Sequence, residues 1–206
     1  MERLLSGKRS VREFKDRPLG RETIRRLIEY AEKAPSSSNS RRRGYVVLTD
    51  PARIDAVELA VTNSFSHTLK LLNPVVVSGA RLLSPRLGKF LSGSRDDLLA
   101  MHEAVRAGER PVFHAAPCVV FVTGPRSGIQ VADDCMIALQ YMMLLAESQG
   151  IGSCVIGYAQ HAHASVAREL ALASGSRVYA AAILGYPKYT YQRQIRYDAA
   201  PSIVWQ

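Results

Sequence analysis

An α+β fold built on a mostly antiparallel central sheet is what this sequence predicts, and three observations carry the prediction. Helix-spaced and strand-like apolar segments are mixed along the chain, without the strict β-α-β alternation that a doubly wound sheet requires. No internal repeat divides it. Its 206 residues, 47% hydrophobic and 22% charged, suit one domain spanning residues 1–206 that buries roughly 70% of its unfolded surface, which excludes a disordered chain.

The elements follow in order. Arg21 to Lys33 carries Ile24, Leu27, Ile28 and Ala31 at helical spacing, with Arg25, Arg26, Glu29 and Glu32 facing away, the pattern of an amphipathic helix. Pro35 and the serines after it stop that helix, so Pro35 to Asn39 is a loop. Tyr45 to Leu48 is a short strand, closed by Thr49-Asp50-Pro51 as the cap of a second helix reaching about Asn63. From His67 to Arg110 the pattern is least regular. Val75-Val76-Val77 has strand character, but Gly79, Ser84, Pro85, Gly88, Ser92 and Gly93 interrupt it, and Ser94 with Asp96 and Asp97 starts a short helix through Arg106. Two readings stand for this stretch: a helical, lid-like excursion over a site, or a surface insertion.

Cys118 to Val122 is a buried strand ended by Thr-Gly-Pro. Gln130 to Ser148 is a helix of about five turns, apolar nearly all the way round, which places it centrally in the core or at a subunit interface. Gly150 and Gly152 cap it and lead into the apolar strand Ser153 to Gly157. His163 to Ala173 is another amphipathic helix and Val178 to Leu184 the last strand, before a tail through Gly185-Tyr186-Pro187-Lys188 to Arg193 and Arg196.

The formal charge is +9, and of 27 basic residues six are lysine, leaving 21 arginines. Arginine suits forked recognition of phosphate and carboxylate, although a G- and C-rich genome inflates it too. A basic nucleic-acid-binding module is the competing class. Against it, the basic residues are scattered, no helix-turn-helix is visible, and 7% aromatic residues are too few for an RNA-stacking platform. Cys118, Cys135 and Cys154 lie far apart in apolar surroundings with no C-x-x-C, which fits reduced thiols in a cytoplasmic protein and excludes a disulfide framework, zinc knuckle or iron–sulfur cluster. The charged N-terminus has no apolar signal core, and no run approaches the ~20 apolar residues of a membrane span. His161-x-His163 has no third ligand at matching spacing, so no metal is expected, and Asp133-Asp134 reads as a pair of first-turn acids on a helix dipole.

Four segments have the composition of a binding site. Lys8-Arg9-Ser10-Val11-Arg12 places two guanidinium forks and a hydroxyl within a few residues. Pro35-Ser36-Ser37-Ser38-Asn39 offers hydroxyls and an amide to a polar heterocycle, and Ile156-Gly157 lets a flat ligand approach the backbone. Arg193 and Arg196 add charge from the tail. Each has an ordinary alternative as a solvated end or a helix-terminating loop.

In order along the chain stand Arg9-Ser10-Val11-Arg12-Glu13-Phe14, Ala34-Pro35-Ser36-Ser37-Ser38-Asn39, Ala115-Ala116-Pro117, Gly150 to Gly157, and Leu184-Gly185-Tyr186-Pro187 with trailing arginines. Together they resemble the FMN-dependent nitroreductase family. The resemblance implies a nitroreductase-like α+β fold, an intertwined homodimer and two FMN sites at the subunit interface. By matching position, Lys8, Arg9 and Ser10 would hold the FMN phosphate and ribityl chain together with Arg193 and Arg196. Arg12 would lie near the pyrimidine edge, where positive charge eases hydride acceptance. Pro35, Ser36, Ser37 and Asn39 would reach the flavin from the partner subunit, and the backbone amides of Ile156 and Gly157 would meet N5 and O4. The implied reaction passes hydride from NAD(P)H to flavin N5 and then to a nitroaromatic, quinone or similar acceptor in a ping-pong cycle, with no catalytic side chain.

Two departures qualify the resemblance. Where family members often carry Gln-Pro-Trp, this chain has Arg41-Arg42-Arg43, which favours an anionic substrate or partner. The tail and the Gly-Ser-Cys strand are most similar to the branch whose members often carry a ferredoxin-like domain. This chain has too few cysteines for its clusters, so a separate ferredoxin or flavodoxin is the donor if NAD(P)H is not. Within the fold, flavin breakdown and reductive dehalogenation are the alternative reactions.

Overall fold

A four-stranded sheet of order β1-β2-β4-β3 organises the computed structural model, which describes residues 1–192 and 200–206. The strands are β1 (Gly44–Leu48), β2 (Cys118–Pro125), β3 (Gly152–Val155) and β4 (Ser176–Gly185), and every pairing is antiparallel. β2 and β4 lie at the centre, and their side chains alternate between two cores because a strand has a period of two. Cys118, Val120 and Val122 face one core with Leu27, Ala138, Leu139 and Met142. Val119 and Phe121 face the other with Val57, Val61, Phe113 and Val166. Both faces of the sheet are thus covered, which explains the uninterrupted apolar runs of these two strands.

Among the described residues eight α-helices clothe it: α1 (Glu2–Gly7), α2 (Arg21–Ala31), α3 (Pro51–Leu71), α4 (Pro74–Leu83), α5 (Pro85–Arg106), α6 (Val131–Ser148), α7 (Gly157–His161) and α8 (His163–Glu169). The Asp50 carboxylate accepts the Ala52 amide at 3.0 Å with Pro51 in the first turn, as the sequence signal requires.

The structure corrects several expectations. α3 runs on to Leu71, well past Asn63. Val75 to Val77 are helical, not a strand, because Asn73 Oδ1 caps the Val76 amide and Pro74 opens the helix. The short helix from Ser94 is the second half of α5, capped by Ser84 ahead of Pro85. Gly88 lets α4 and α5 approach: a Cβ there would stand 2.7 Å from the Arg81 Cα. β3 stops at Val155, and Gly157 begins α7 where strand was expected. α8 ends at Glu169, short of Ala173.

α6 is less completely buried than its composition implies. Val131, Cys135, Ala138, Leu139, Met142, Met143 and Ala146 are buried, while Ile137 and Tyr141 stand 38% and 45% exposed on the opposite side. All three cysteines are free and buried, and burial pushes the Cys118 and Cys135 thiols up to about 12. Among the described residues no helix is long and apolar enough to cross a membrane.

Candidate functional site

Residues 8–15 thread between the edge of β3 and the end of β4, and this draws four of the five ordered motifs together. The Val11 amide donates to Ser153 O at 3.1 Å, and Ser10 forms a bridge with Ser153. Lys15 N–H donates to Tyr186 O at 2.8 Å and Lys188 N–H to Glu13 O at 3.0 Å. Two glycines are required where these pieces cross. A Cβ on Gly152 would stand 2.8 Å from Val11 side-chain atoms, and one on Gly185 would stand 2.6 Å from Phe14 Cδ1 and 2.9 Å from Pro117 Cδ. Gly152 of Gly-Ile-Gly and Gly185 of Leu-Gly-Tyr-Pro are therefore packing glycines.

The crossing leaves a cavity of about 580 Å³ lined by Leu5, Ser6, Lys8, Arg9, Ser10, Arg12 and Tyr191, a size within the roughly 300–1,000 Å³ of small-molecule sites. Its basic residues differ in what they do. The Lys8 ammonium donates to Arg9 O at 2.7 Å and Ser153 O at 3.3 Å and pairs with Glu147 at 3.7 Å, so it is anchored to the protein. Burial lowers its pKa, and Glu147 opposes the shift. Arg9 lies over the Tyr191 ring at 5.8 Å, which brings the start of the tail beside it. Arg12 is exposed and has no carboxylate partner among the described residues. Its guanidinium, after burial, holds the His114 imidazole below its usual range. His114 and Ala115, ahead of Ala116-Pro117, both adopt left-handed φ, 53° and 49°, a conformation that costs free energy and is held by its surroundings. Arg193 and Arg196 lie outside the described residues.

Ile156 and Gly157 divide their roles. The Ile156 amide is committed to Ala181 O at 2.9 Å, so it is not available to a ligand. Gly157 opens α7, where the first amides have no partner within the helix. It is exposed, and a Cβ there would meet nothing within 4 Å.

The Pro35–Asn39 loop is elsewhere. The Ser37 amide donates to the Asp134 carboxylate at 2.9 Å, in the first turn of α6. Ser36 Oγ accepts the Arg41 amide and Asn39 Oδ1 accepts Arg41 Nε, each at 3.0 Å. Ser38 and Asn39 have φ of 51° and 52°, so these bonds hold a strained turn. Arg43 fixes it from beneath: its side chain is 1% exposed, its guanidinium donates to Ala34 O at 3.0 Å and Asp134 O at 3.2 Å, and it pairs with Glu32 at 3.5 Å. Sequence reasoning missed Arg43, Asp134, Tyr191 and Glu147 as residues that build the site.

The two groups sit at opposite ends of α6. Asp134 and Glu147 are thirteen residues apart on one helix, or about 20 Å at 1.5 Å per residue. One chain therefore presents two separate polar patches, with Ile137 and Tyr141 exposed along the helix between them.

Comparison with known proteins adds a family. The nitroreductase family model matches residues 5–186. Nitroreductase NfnB of Mycolicibacterium smegmatis is 31% identical over 164 residues, which are 74% of this chain and 68% of that protein. A nitroreductase with bound FMN from Bacteroides fragilis superposes with a TM-score of 0.72 at 16% identity, over 98% of this chain and 97% of the other. A point variant of the FMN- and NADPH-dependent nitroreductase NfnB from Sphigopyxis sp. strain HMH gives a TM-score of 0.66 at 25% identity, over 91% and 88%.

Proposed function

Because this chain belongs to the nitroreductase family, we propose that it is an FMN-dependent oxidoreductase that takes electrons from NADPH or NADH and passes them to a small reducible acceptor such as a nitroaromatic or a quinone. One observation carries this reading: the four motifs brought together around Ser153 and Gly185 leave a basic cavity at Arg9, Ser10 and Arg12. Its donor set fits a phosphate dianion and a hydroxylated chain. When bound, FMN would supply hydride acceptance and release at its ring, chemistry that no side chain supplies.

The chain's own residues would bind and orient. Arg9 and Ser10 would grip the phosphate, with Arg193 and Arg196 assigned there by resemblance, while Lys8 would brace that segment against Ser153 and Glu147. Arg12 would place positive charge at the ring's edge. The Gly157 amide would be the backbone donor of its stretch. No acid–base pair is needed, and donor and acceptor would occupy one face in turn, a ping-pong order.

A homodimer is part of the proposal. Patches about 20 Å apart on one helix cannot grip one ligand, whereas a two-fold axis beside Ile137 and Tyr141 would bring the Pro35–Asn39 loop of one copy to the Arg9 cavity of the other. The helical excursion α4–α5 would lie over the site as a lid. The buried, unoxidised thiols support a cytoplasmic setting.

The test is the visible spectrum of purified protein supplied with FMN. Expected is a bound-flavin spectrum bleached anaerobically by NADPH or NADH. A chain that does not take up FMN overturns the reading. A flavin bleached by neither nucleotide but by reduced ferredoxin or flavodoxin changes the donor.

A further inference from the structure

Arg41 and Arg43 hold the Pro35–Asn39 loop, and Arg42 does neither. Its guanidinium lies over the turn at Gly128, whose Cβ would stand 3.5 Å from Arg42 Nη2. Gly128 has a φ of 146°, which keeps that turn open to it. Just before the turn, Arg126 leaves β2 with its N–H donating to Gly175 O at 2.7 Å. That bond fastens it beside Arg177, which pairs across β2 and β4 with Gly124 and stands over the Tyr179 ring at 5.5 Å. The His163 imidazole is held below the usual range by burial first, then by the charges of Arg177 and Arg126.

This end of the sheet has an excess of donors. None of the three arginines forms an ion pair with a carboxylate among the described residues. Arg177 Nε and His163 Nδ1 are buried with no hydrogen-bond partner among them. Crowded like charges cost free energy, and an oxyanion at the guanidinium forks would relieve that crowding. Guanidinium forks match the oxygens of a phosphate.

We propose that Arg126, Arg177 and His163, with Arg42 at their margin, form a binding site for a phosphate-ester dianion. The site is near neither Lys8 nor Arg9. It shares the α6 N-terminal end with the Pro35–Asn39 loop, since Val131 touches the Cβ positions of Gly124 and Gly128. Its ligand follows from the function proposed above, on which this step rests: the loop would border the flavin, so the phosphate is the one that distinguishes NADPH from NADH.

The experiment is calorimetric titration of the FMN-treated full chain with 2′-AMP, adenosine and inorganic phosphate, for the natural chain and for Arg126→Ala, Arg177→Ala and the exposed-loop variant Arg42→Ala. Expected is 2′-AMP binding at least about tenfold tighter than adenosine, with a loss of about tenfold or more in Arg126→Ala and Arg177→Ala. Inorganic phosphate binding as tightly as 2′-AMP, with the same losses, supports the dianion site and assigns it to free phosphate. Equal binding of 2′-AMP and adenosine, or unchanged affinity in all three variants, overturns the proposal, as does a salt-sensitive complex with an acidic protein where 2′-AMP does not bind. Bound flavin is read separately at visible wavelengths. Its absence counts against the proposed function and leaves the titration to decide this site.

Discussion

The Ser37 amide donates to the Asp134 carboxylate at 2.9 Å across 97 residues of sequence. This bond ties the Pro35–Asn39 loop to the first turn of α6. Asp134 is 6% exposed, so its carboxylate has little water to turn to if the loop leaves. The loop's strained turn at Ser38 and Asn39 is held from the rigid side.

Replacing Asp134 should therefore loosen the loop before it unfolds the domain. Asp134→Ala leaves the Ser37 amide unpaired and is expected to lower stability by about 1–3 kcal/mol, read by denaturant unfolding. Asp134→Asn keeps an acceptor and should lose less. Equal losses in the two variants would mean that the bond to Ser37 is not what Asp134 contributes.

Arg9 is predicted to act on cofactor affinity. Arg9→Ala should weaken FMN binding by about 1.5–3 kcal/mol, the range for a hydrogen bond to a charged group. Fluorescence titration with FMN measures this. An Arg9→Ala protein that titrates like the natural chain removes Arg9 from the site.

Tyr141, 45% exposed on α6, tests the assembly. Tyr141→Glu places a charge in the proposed interface, where an unpaired charge is costly. Sedimentation should show the natural chain as a dimer and the variant as a monomer with weakened FMN uptake. A variant that remains dimeric and fully flavinated relocates the interface.

Glu58 carries a pH dependence. Its buried carboxylate accepts the Val112 and Phe113 amides at 2.8 and 3.4 Å. Burial nonetheless raises its pKa above the ordinary 4.5, the two amides opposing. The folded chain thus holds this proton more tightly than the unfolded one. Its contribution is fully present below 4.5 and is lost as pH rises through the raised folded value. Thermal midpoints across that range should fall more steeply with rising pH in the natural chain than in Glu58→Gln. Parallel curves would show that Glu58 is not the group responsible.

Much of this was legible in the chain. Asp50-Pro51 caps a helix as the sequence signal requires, and Asn73-Pro74 and Ser84-Pro85 carry the same signature, masked by the strand-like run Val75 to Val77 after the first and by the glycines around the second. Gly88 is a place where two helices touch, which no local rule distinguishes from a turn. Ile156 looked like an available amide because its partner, Ala181, is 25 residues away. Arg43 looked like one of three equivalent surface cations, and it is the most buried of them.

Residue order alone determined the family, the α+β fold and the short segments that serve it, because apolar spacing, caps and five ordered motifs are local properties written along the chain. Tertiary structure decided what each polar residue faces. It turned Lys8 inward to Glu147, divided three adjacent arginines between holding a loop and facing a donor-rich corner, and set the Ser37 loop and the Arg9 cavity at opposite ends of α6. The reason is physical: a side chain's charge is fixed by its type, but its hydrogen-bond partners and its exposure to water are fixed only when distant segments meet.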